Sequence, residues 1–304
     1  MCVSNDNKQL ANPVRTLRPK LTEVISKHNI FPKKFLGQHF LLNTSICERI
    51  VQSSGNLTRT NVIEVGPGPG GLTRALLDNG AQHVIVIEKD NRCINAMNEL
   101  ALSTNGRLEI KHGDALNFDF IQKISDPKCI ISNLPYNIAT KLLFKWLKYP
   151  NEFSQMVLMF QKEVGRRIIA KPGTSEYGRL SIYAQWLCKC ELVFDLKPGA
   201  FSPPPKVSSS VIRLTPYPKP LYDAPEEELL KIVSAGFGQR RKKLKTSLKT
   251  AISNPEIVLS NADISPDLRE VSHKFSFSLN LDSRTSLLNF IKGRIFSLSV
   301  MFSR

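Results

Sequence analysis

The chain has 304 residues, 41% of them apolar and 22% charged, with a net charge of +16. That is enough to bury a full core and a smaller second unit; no run of 18 apolar residues offers a membrane span, no basic amphipathic anchor stands out, and the cationic excess points to a polyanionic partner. Six cysteines are scattered, with Cys188-Lys189-Cys190 as the close pair, which argues against a zinc site and for reduced thiols in a cytosolic protein.

Residues 1–30 lack the apolar stretch of a secretion signal. Their basic residues, Arg15 and Arg18 among them, are accompanied by Asp6 and Glu23, so they support a mitochondrial transit peptide only weakly. They read as a basic, flexible extension ahead of the folded chain. The apolar run Val62-Ile63-Glu64-Val65 then ends in Gly66-Pro67-Gly68-Pro69-Gly70-Gly71, and a helical pattern follows through Leu72, Ala75, Leu76 and Leu77. Glycines there let the backbone turn sharply and approach a ligand closely. A second run, His83-Val84-Ile85-Val86-Ile87, ends at Glu88, 22 residues after Gly66. At the tip of the next parallel strand, a carboxylate can accept from both ribose hydroxyls of a nucleoside. NAD and S-adenosylmethionine both meet this description. The loop departs from Gly-x-Gly-x-x-Gly, however, and its prolines lack the N–H groups that a pyrophosphate needs, which favours the methyl donor.

The next strand, over residues 107–111, runs into His112-Gly113-Asp114, placing Asp114 where it can accept from a cofactor's adenine amine. Cys129-Ile130-Ile131-Ser132 then leads to Asn133-Leu134-Pro135-Tyr136. An exocyclic adenine amine is a poor nucleophile because its lone pair is delocalised into the ring. The Asn133 amide oxygen and a neighbouring backbone carbonyl can accept its two N–H bonds and turn the lone pair toward a methyl donor. Pro135 stiffens that loop, and Tyr136 offers a face on which an extruded base can stack. Gly66, Glu88, Asp114 and Asn133 thus fall at the carboxyl ends of four successive parallel strands, the ligand edge of an open α/β sheet. Any one of them could be a turn residue or a helix cap; four in register point to a site.

Strands and helices continue to alternate as far as residue 214, through the Pro203-Pro204-Pro205 loop and a last strand over 210–214. The connector Thr215-Pro216-Tyr217-Pro218-Lys219-Pro220 marks a boundary, so the domains are read as 31–214 and 215–304. Glu226 to Glu228 suit the first turn of a helix. Residues 239–249 hold six positive charges and no acid. Alone this reads as a solvated helix face; beside an adenine-methylating site it reads as a phosphate-contacting helix, with Arg240, Arg241, Lys242 and Lys243 as RNA-binding candidates.

Several segments, in order, resemble one family. They are Lys33-Lys34-Phe35-Leu36-Gly37-Gln38-His39-Phe40-Leu41, the glycine loop, Ile87-Glu88-Lys89-Asp90, Gly113-Asp114-Ala115, Asn133-Leu134-Pro135-Tyr136-Asn137-Ile138, Gln161-Lys162-Glu163-Val164, Tyr177-Gly178-Arg179-Leu180-Ser181, Phe201-Ser202-Pro203-Pro204-Pro205-Lys206-Val207 and Gln239-Arg240-Arg241-Lys242. From about Lys33 onward the chain is similar to the KsgA-type small-subunit rRNA adenine dimethyltransferases, which share a superfamily with the Erm enzymes and the mitochondrial transcription factor B proteins. The resemblance implies an α/β, class I S-adenosylmethionine-dependent methyltransferase with a Rossmann-like, mostly parallel sheet and a smaller C-terminal helical domain. It implies S-adenosylmethionine held by His39, Leu41, Gly66, Glu88, Asp114 and Asn133, and catalysis by Asn133, Leu134, Tyr136 and Phe201, with the Phe201 ring facing Tyr136 across the flipped base. The implied partner is small-subunit rRNA in a pre-assembled subunit, met by a cytoplasmic monomer that uses no metal and no membrane. His39 stands where the family commonly has Asn; a side-chain contact to the cofactor would be altered and a main-chain contact would survive. An Erm-like large-subunit enzyme, a non-enzymatic nucleic-acid-binding relative and a DNA adenine methyltransferase are the alternatives. The proline run and Gln239-Arg240-Arg241-Lys242 are more KsgA-like, the cofactor residues argue for retained catalysis, and a DNA enzyme more usually has Pro in place of Leu134.

Overall fold

Near-continuous apolar runs are the mark of strands covered on both faces, and such runs form the centre of the sheet in the computed structural model, which describes residues 18–33, 37–239, 242–261 and 264–268. In chain order, α1 (Leu21–Lys27) precedes the short strand β1 (Phe40–Leu41) and α2 (Thr44–Gln52). Strand–helix units follow: β2 (Asn61–Val65) with α3 (Gly71–Asp78), β3 (His83–Glu88) with α4 (Asn91–Ala101), then β4 (Leu108–His112). Next come β5 (Lys128–Asn133) with α5 (Tyr136–Leu147), β6 (Met156–Gln161) with α6 (Lys162–Ile168), and α7 (Arg179–Leu187). The sheet is completed by β7 (Cys188–Leu196) and β9 (Ser209–Pro216), between which β8 (Phe201–Ser202) pairs with β1. Helices α8 (Glu226–Gly236), α9 (Leu244–Leu248) and α10 (Pro255–Asn261) lie beyond. Among the described residues, no helix is long and apolar enough to cross a membrane.

The seven strands run in the order β4-β3-β2-β5-β6-β9-β7. The first five are parallel, and β9 lies antiparallel to both β6 and β7. The order reverses between β2 and β5, so the switch point, where open α/β sheets hold ligands, lies above that pair. The ladder between these two strands pairs Ile63 with Ile130 and goes no further. Beyond it the strands part, and the Ser132 hydroxyl takes over from the backbone. Its Oγ donates to the Val65 carbonyl at 2.8 Å and accepts from the Val65 N–H at 3.3 Å. Buried backbone groups are thus satisfied where the sheet opens.

Two apolar clusters cover the two faces. One gathers α2, α3 and α4 with β1 and Phe201. The other gathers α5 and α7 and continues into Leu229, Ile232, Leu244, Leu248 and Leu259, so the C-terminal helices share a core with the sheet. Two hydrogen bonds, one part-buried and one buried, tie α7 to this C-terminal part: Tyr183 Oη donates to Glu226 at 2.5 Å, and Trp186 Nε1 donates to the Tyr222 carbonyl at 2.9 Å. Strand β9 extends to Pro216, two residues past the expected boundary.

Two expectations change. Residues 239–249 do not form one helix: Lys243 has an extended backbone, and among the described residues of the segment the helix is Leu244–Leu248. Residues 18–30 are not a loose extension. Val24 and Ile30 are buried in the first cluster, Arg18 pairs with Asp78 at 2.8 Å, and Arg92 donates to the carbonyls of Asn29 and Phe31, each at 2.9 Å. The rest of the expected extension, residues 1–17, lies outside the described residues. Because Ile30 is only 1% exposed, Ile30→Ala should cost about 2–5 kcal/mol, the range for emptying a core aliphatic site. Urea unfolding measures it, and an unchanged midpoint would mean that this segment adds nothing to the core.

Candidate active site

A cavity of about 310 Å³ opens at the carboxyl ends of β2, β3, β4 and β5. His39, Leu41, Gly66, Glu88, Asp114, Asn133, Leu134 and Tyr136 all line it. Its floor depends on missing side chains. A Cβ on Gly68, whose φ is +55°, would come within 2.8 Å of the Phe40 ring, and one on Gly71 would strike the Leu41 carbonyl oxygen. The glycine loop and the β1 segment can close on each other only because both positions are bare.

The ends of β3 and β4 each contribute an acid, Glu88 and Asp114. Glu88 is 7% exposed, and its Oε1 accepts the Lys89 and Asp90 N–H groups at 2.7 and 2.8 Å. Burial raises its carboxyl above the ordinary range, while the N–H groups of Asp90, Lys89 and Gly68 pull the other way. Asp114 is held low, first by the Leu116 N–H at 3.0 Å and then by the Lys89 ammonium at 3.1 Å. Asp90 lies just behind. Its carboxylate is gripped by Arg92 through Nε at 3.0 Å and a terminal nitrogen at 2.6 Å, accepts from Gln38 at 3.4 Å, and is held down to about 2. The fork holds Asp90 in place, and the Gln38 bond ties the loop carrying His39 to the end of β3.

The methyl-accepting side is built around Asn133. Its Nδ2 donates to the His39 carbonyl at 3.0 Å, which fixes the amide and leaves Oδ1 as the end that accepts. Leu134 is 2% exposed and packs beneath. Pro135 stands at the N-cap of α5, so Tyr136 begins the helix, and its Oη shares a 2.5 Å hydrogen bond with Ser209 Oγ. Burial raises the Tyr136 phenol above its usual range.

His39 joins these parts by both backbone and side chain. Its Nδ1 lies 2.9 Å from the Pro203 carbonyl, so that nitrogen carries the proton and donates. Its ring sits 5.5 Å from the Tyr136 ring, tilted by 32°. The aromatic ring beside Tyr136 is therefore His39. Phe201, expected to face Tyr136, is 5% exposed and belongs to the core cluster. The reason is strand alternation: Phe201 pairs with Leu41 and turns inward, while Ser202 faces solvent.

The structure also collects residues whose role the sequence left unmarked. Glu64, 2% exposed, lines the cavity and accepts from Thr73 Oγ1 at 2.7 Å. Burial pushes its carboxyl up to about 8. An acid inside the otherwise apolar run of β2 was the available signal. Lys89, between the two cofactor-side acids, had none. Of the RNA-binding candidates, Arg240 and Arg241 lie outside the described residues, Lys242 is exposed, and Lys243 pairs with Asp267 at 3.2 Å. Among the described residues, no three His, Cys, Asp or Glu side chains cluster as a metal site.

The His39 carbonyl, not its imidazole, holds Asn133. His39→Ala should therefore leave S-adenosylhomocysteine affinity within about twofold of the parent while slowing transfer on the order of tenfold, the worth of one hydrogen bond. Calorimetry and turnover measure the two; a matching loss of affinity would place the imidazole on the cofactor.

The profile of the ribosomal RNA adenine dimethylase family matches residues 30–271. A ribosomal RNA small subunit methyltransferase A from Rhodospirillum rubrum is 48% identical over 251 residues, covering 83% of this chain and 87% of the relative. Its counterpart from Paracoccus denitrificans is 48% identical over 254 residues, covering 83% and 90%. Among solved structures, a dimethyladenosine transferase from Plasmodium falciparum aligns with a TM-score of 0.67 at 28% identity, over 80% of this chain and 97% of that one. The 23S rRNA methyltransferase ErmE aligns with a TM-score of 0.63 at 24% identity, over 81% and 98%, a likeness of fold alone. A cavity at the switch point, an oriented Asn133 amide and this match over most of the length lead to one conclusion: the chain belongs to the ribosomal RNA adenine dimethylase family.

Proposed function

We propose that this protein transfers methyl groups from S-adenosylmethionine to N6 of two adjacent adenosines in the 3′-terminal hairpin loop of small-subunit rRNA, giving N6,N6-dimethyladenosine during small-subunit biogenesis. The observation that carries the reading is the Asn133 amide, turned by the His39 carbonyl so that Oδ1 is its accepting end at the cavity. The close relatives are small-subunit enzymes by name, which favours this target over the large subunit. Action as a cytoplasmic monomer on a pre-assembled subunit belongs to the same proposal.

The residues present suit this cofactor. Pro67 and Pro69 offer no N–H to a pyrophosphate, while Glu88 and Asp114 offer acceptors to ribose hydroxyls and an adenine amine. When bound, the cofactor supplies an electrophilic methyl group on a sulfonium. Asn133 Oδ1 and a backbone carbonyl of the same loop accept the two N–H bonds of the target amine and so direct its lone pair. Tyr136, anchored through Ser209, presents a face to the flipped base, and His39 lines the same opening. The methylated amine becomes acidic and gives its proton to water, so no resident base is needed. The rate advantage comes from positioning and from acceptors set in advance.

Asn133→Ala removes an acceptor that acts mainly in the transition state. It should lower methyl transfer to unmethylated small subunits by about 10²–10³ without altering the fold; parental turnover would reduce Asn133 to a turn residue. The basic segment is tested separately. Replacing Arg240 and Arg241 with Ala should flatten the log–log salt dependence of subunit binding by about 0.7–0.9 for each phosphate no longer neutralised. Lys243→Ala should change it less, because that ammonium already has Asp267. An unchanged slope in the arginine variant would make the segment a solvated surface.

A further inference from the structure

One carboxyl group in the cavity wall has, among the described residues, neither a cation nor a backbone N–H beside it. Glu64 lies on β2, two residues before Gly66, and is 2% exposed. Its Oε2 accepts from Thr73 on α3, whose hydroxyl also lies 3.8 Å from Met97 Sδ on α4. The titratable groups acting on it are Glu88 from β3 and Cys47 from α2. Neither can be positive, and among the described residues no Lys, Arg or His pairs with Glu64. The other acids around the cavity are provided for: Asp114 has Lys89, Asp90 has Arg92, and Glu88 has backbone N–H groups. A desolvated carboxylate with no such partner is strongly disfavoured, so the acid keeps its proton.

We propose that Glu64 is a titrating counter-charge for the methyl donor: it holds a proton in the empty cavity and releases it when the donor's ammonium group binds. The proposal rests on the cofactor reading above. The ammonium is the matching cation because it offers N–H donors to a carboxylate, whereas a sulfonium offers none. The balance is simple. The Glu64 O–H bond breaks, the carboxylate stays with the ammonium, and the proton leaves to solvent.

Burial pushes the Glu64 carboxyl up to about 8, against the Thr73 bond and with added repulsion from Glu88. A bound cation lowers it again. Binding that releases a proton strengthens as pH rises, by up to about tenfold per unit. The rise flattens as the pH passes the raised range of the ligand-free Glu64, about 8, because the acid then ionises on its own. There the free ligand's own α-amino group, with an ordinary pKa of about 8, also begins to lose its charge.

The test is calorimetric titration at about pH 6.5, below the ordinary α-amino range, in two buffers of different ionisation enthalpy. S-Adenosylhomocysteine should release about one proton per molecule bound. 5′-Methylthioadenosine, which lacks the amino-acid portion, should release none. Glu64→Gln should still bind S-adenosylhomocysteine, release no proton and lose the rise of affinity with pH. Proton-neutral binding of S-adenosylhomocysteine to the parent, or an unchanged proton count in Glu64→Gln, overturns the proposal and leaves the cofactor reading intact. Failure of both nucleosides to bind overturns the cofactor reading and the proposal with it. Should Glu64→Gln not fold, the contrast between the two nucleosides on the parent protein decides.

Discussion

The site exists because β2 and β5 part company. Their ladder stops at Ile63 and Ile130, and Ser132 satisfies Val65 with a side-chain hydroxyl where a backbone partner would otherwise be needed. Had the ladder continued, Gly66 and Asn133 would have been zipped together and the cavity closed. Because the strands diverge, the glycine loop swings over α3 while Asn133 is released toward the opposite wall. The segment bearing β1 enters the gap from above, and its His39 carbonyl takes up the Asn133 amide.

That arrangement explains why so much converges on His39. Its carbonyl orients the amide, its imidazole holds the proline loop through Pro203, and its ring lies against Tyr136. The far end of the proline loop is fastened by Ser209 to the Tyr136 hydroxyl. The wall where a base would enter is therefore pinned at two points, at Pro203 within the proline run and at Ser209 beyond it. Pre-set acceptors and rings need little reorganisation when substrate arrives, which suits the direct transfer proposed above.

Charge is arranged unevenly around the cavity. Asp90 and Asp114 are ionised beside Arg92 and Lys89, whereas Glu64 and Glu88 are buried and pushed upward. The first pair fastens loops to strand ends. The second pair lies in the sheet's own wall, where a cationic group would offset the repulsion between the two carboxyls. On the opposite face the C-terminal helices share one apolar cluster with α5 and α7.

Much of this was legible in the sequence. The runs at Val62, Val84 and Cys129 are local patterns whose burial is implied by their own composition, so strand identity and the common edge of Gly66, Glu88, Asp114 and Asn133 could be read directly. What tertiary structure decided is which groups meet. Asn133 and His39 are 94 residues apart, and His39 and Pro203 are 164 apart, so no local pattern encodes either bond. The inward turn of Phe201 follows from its register with Leu41, the docking of residues 18–30 from Arg92 and Asp78, and the capture of Lys243 by Asp267 from a fold-back of the chain. Glu64 is the clearest case. Its identity is plain in the sequence, but its isolation is a property of everything that surrounds it, and only packing determines what surrounds a residue.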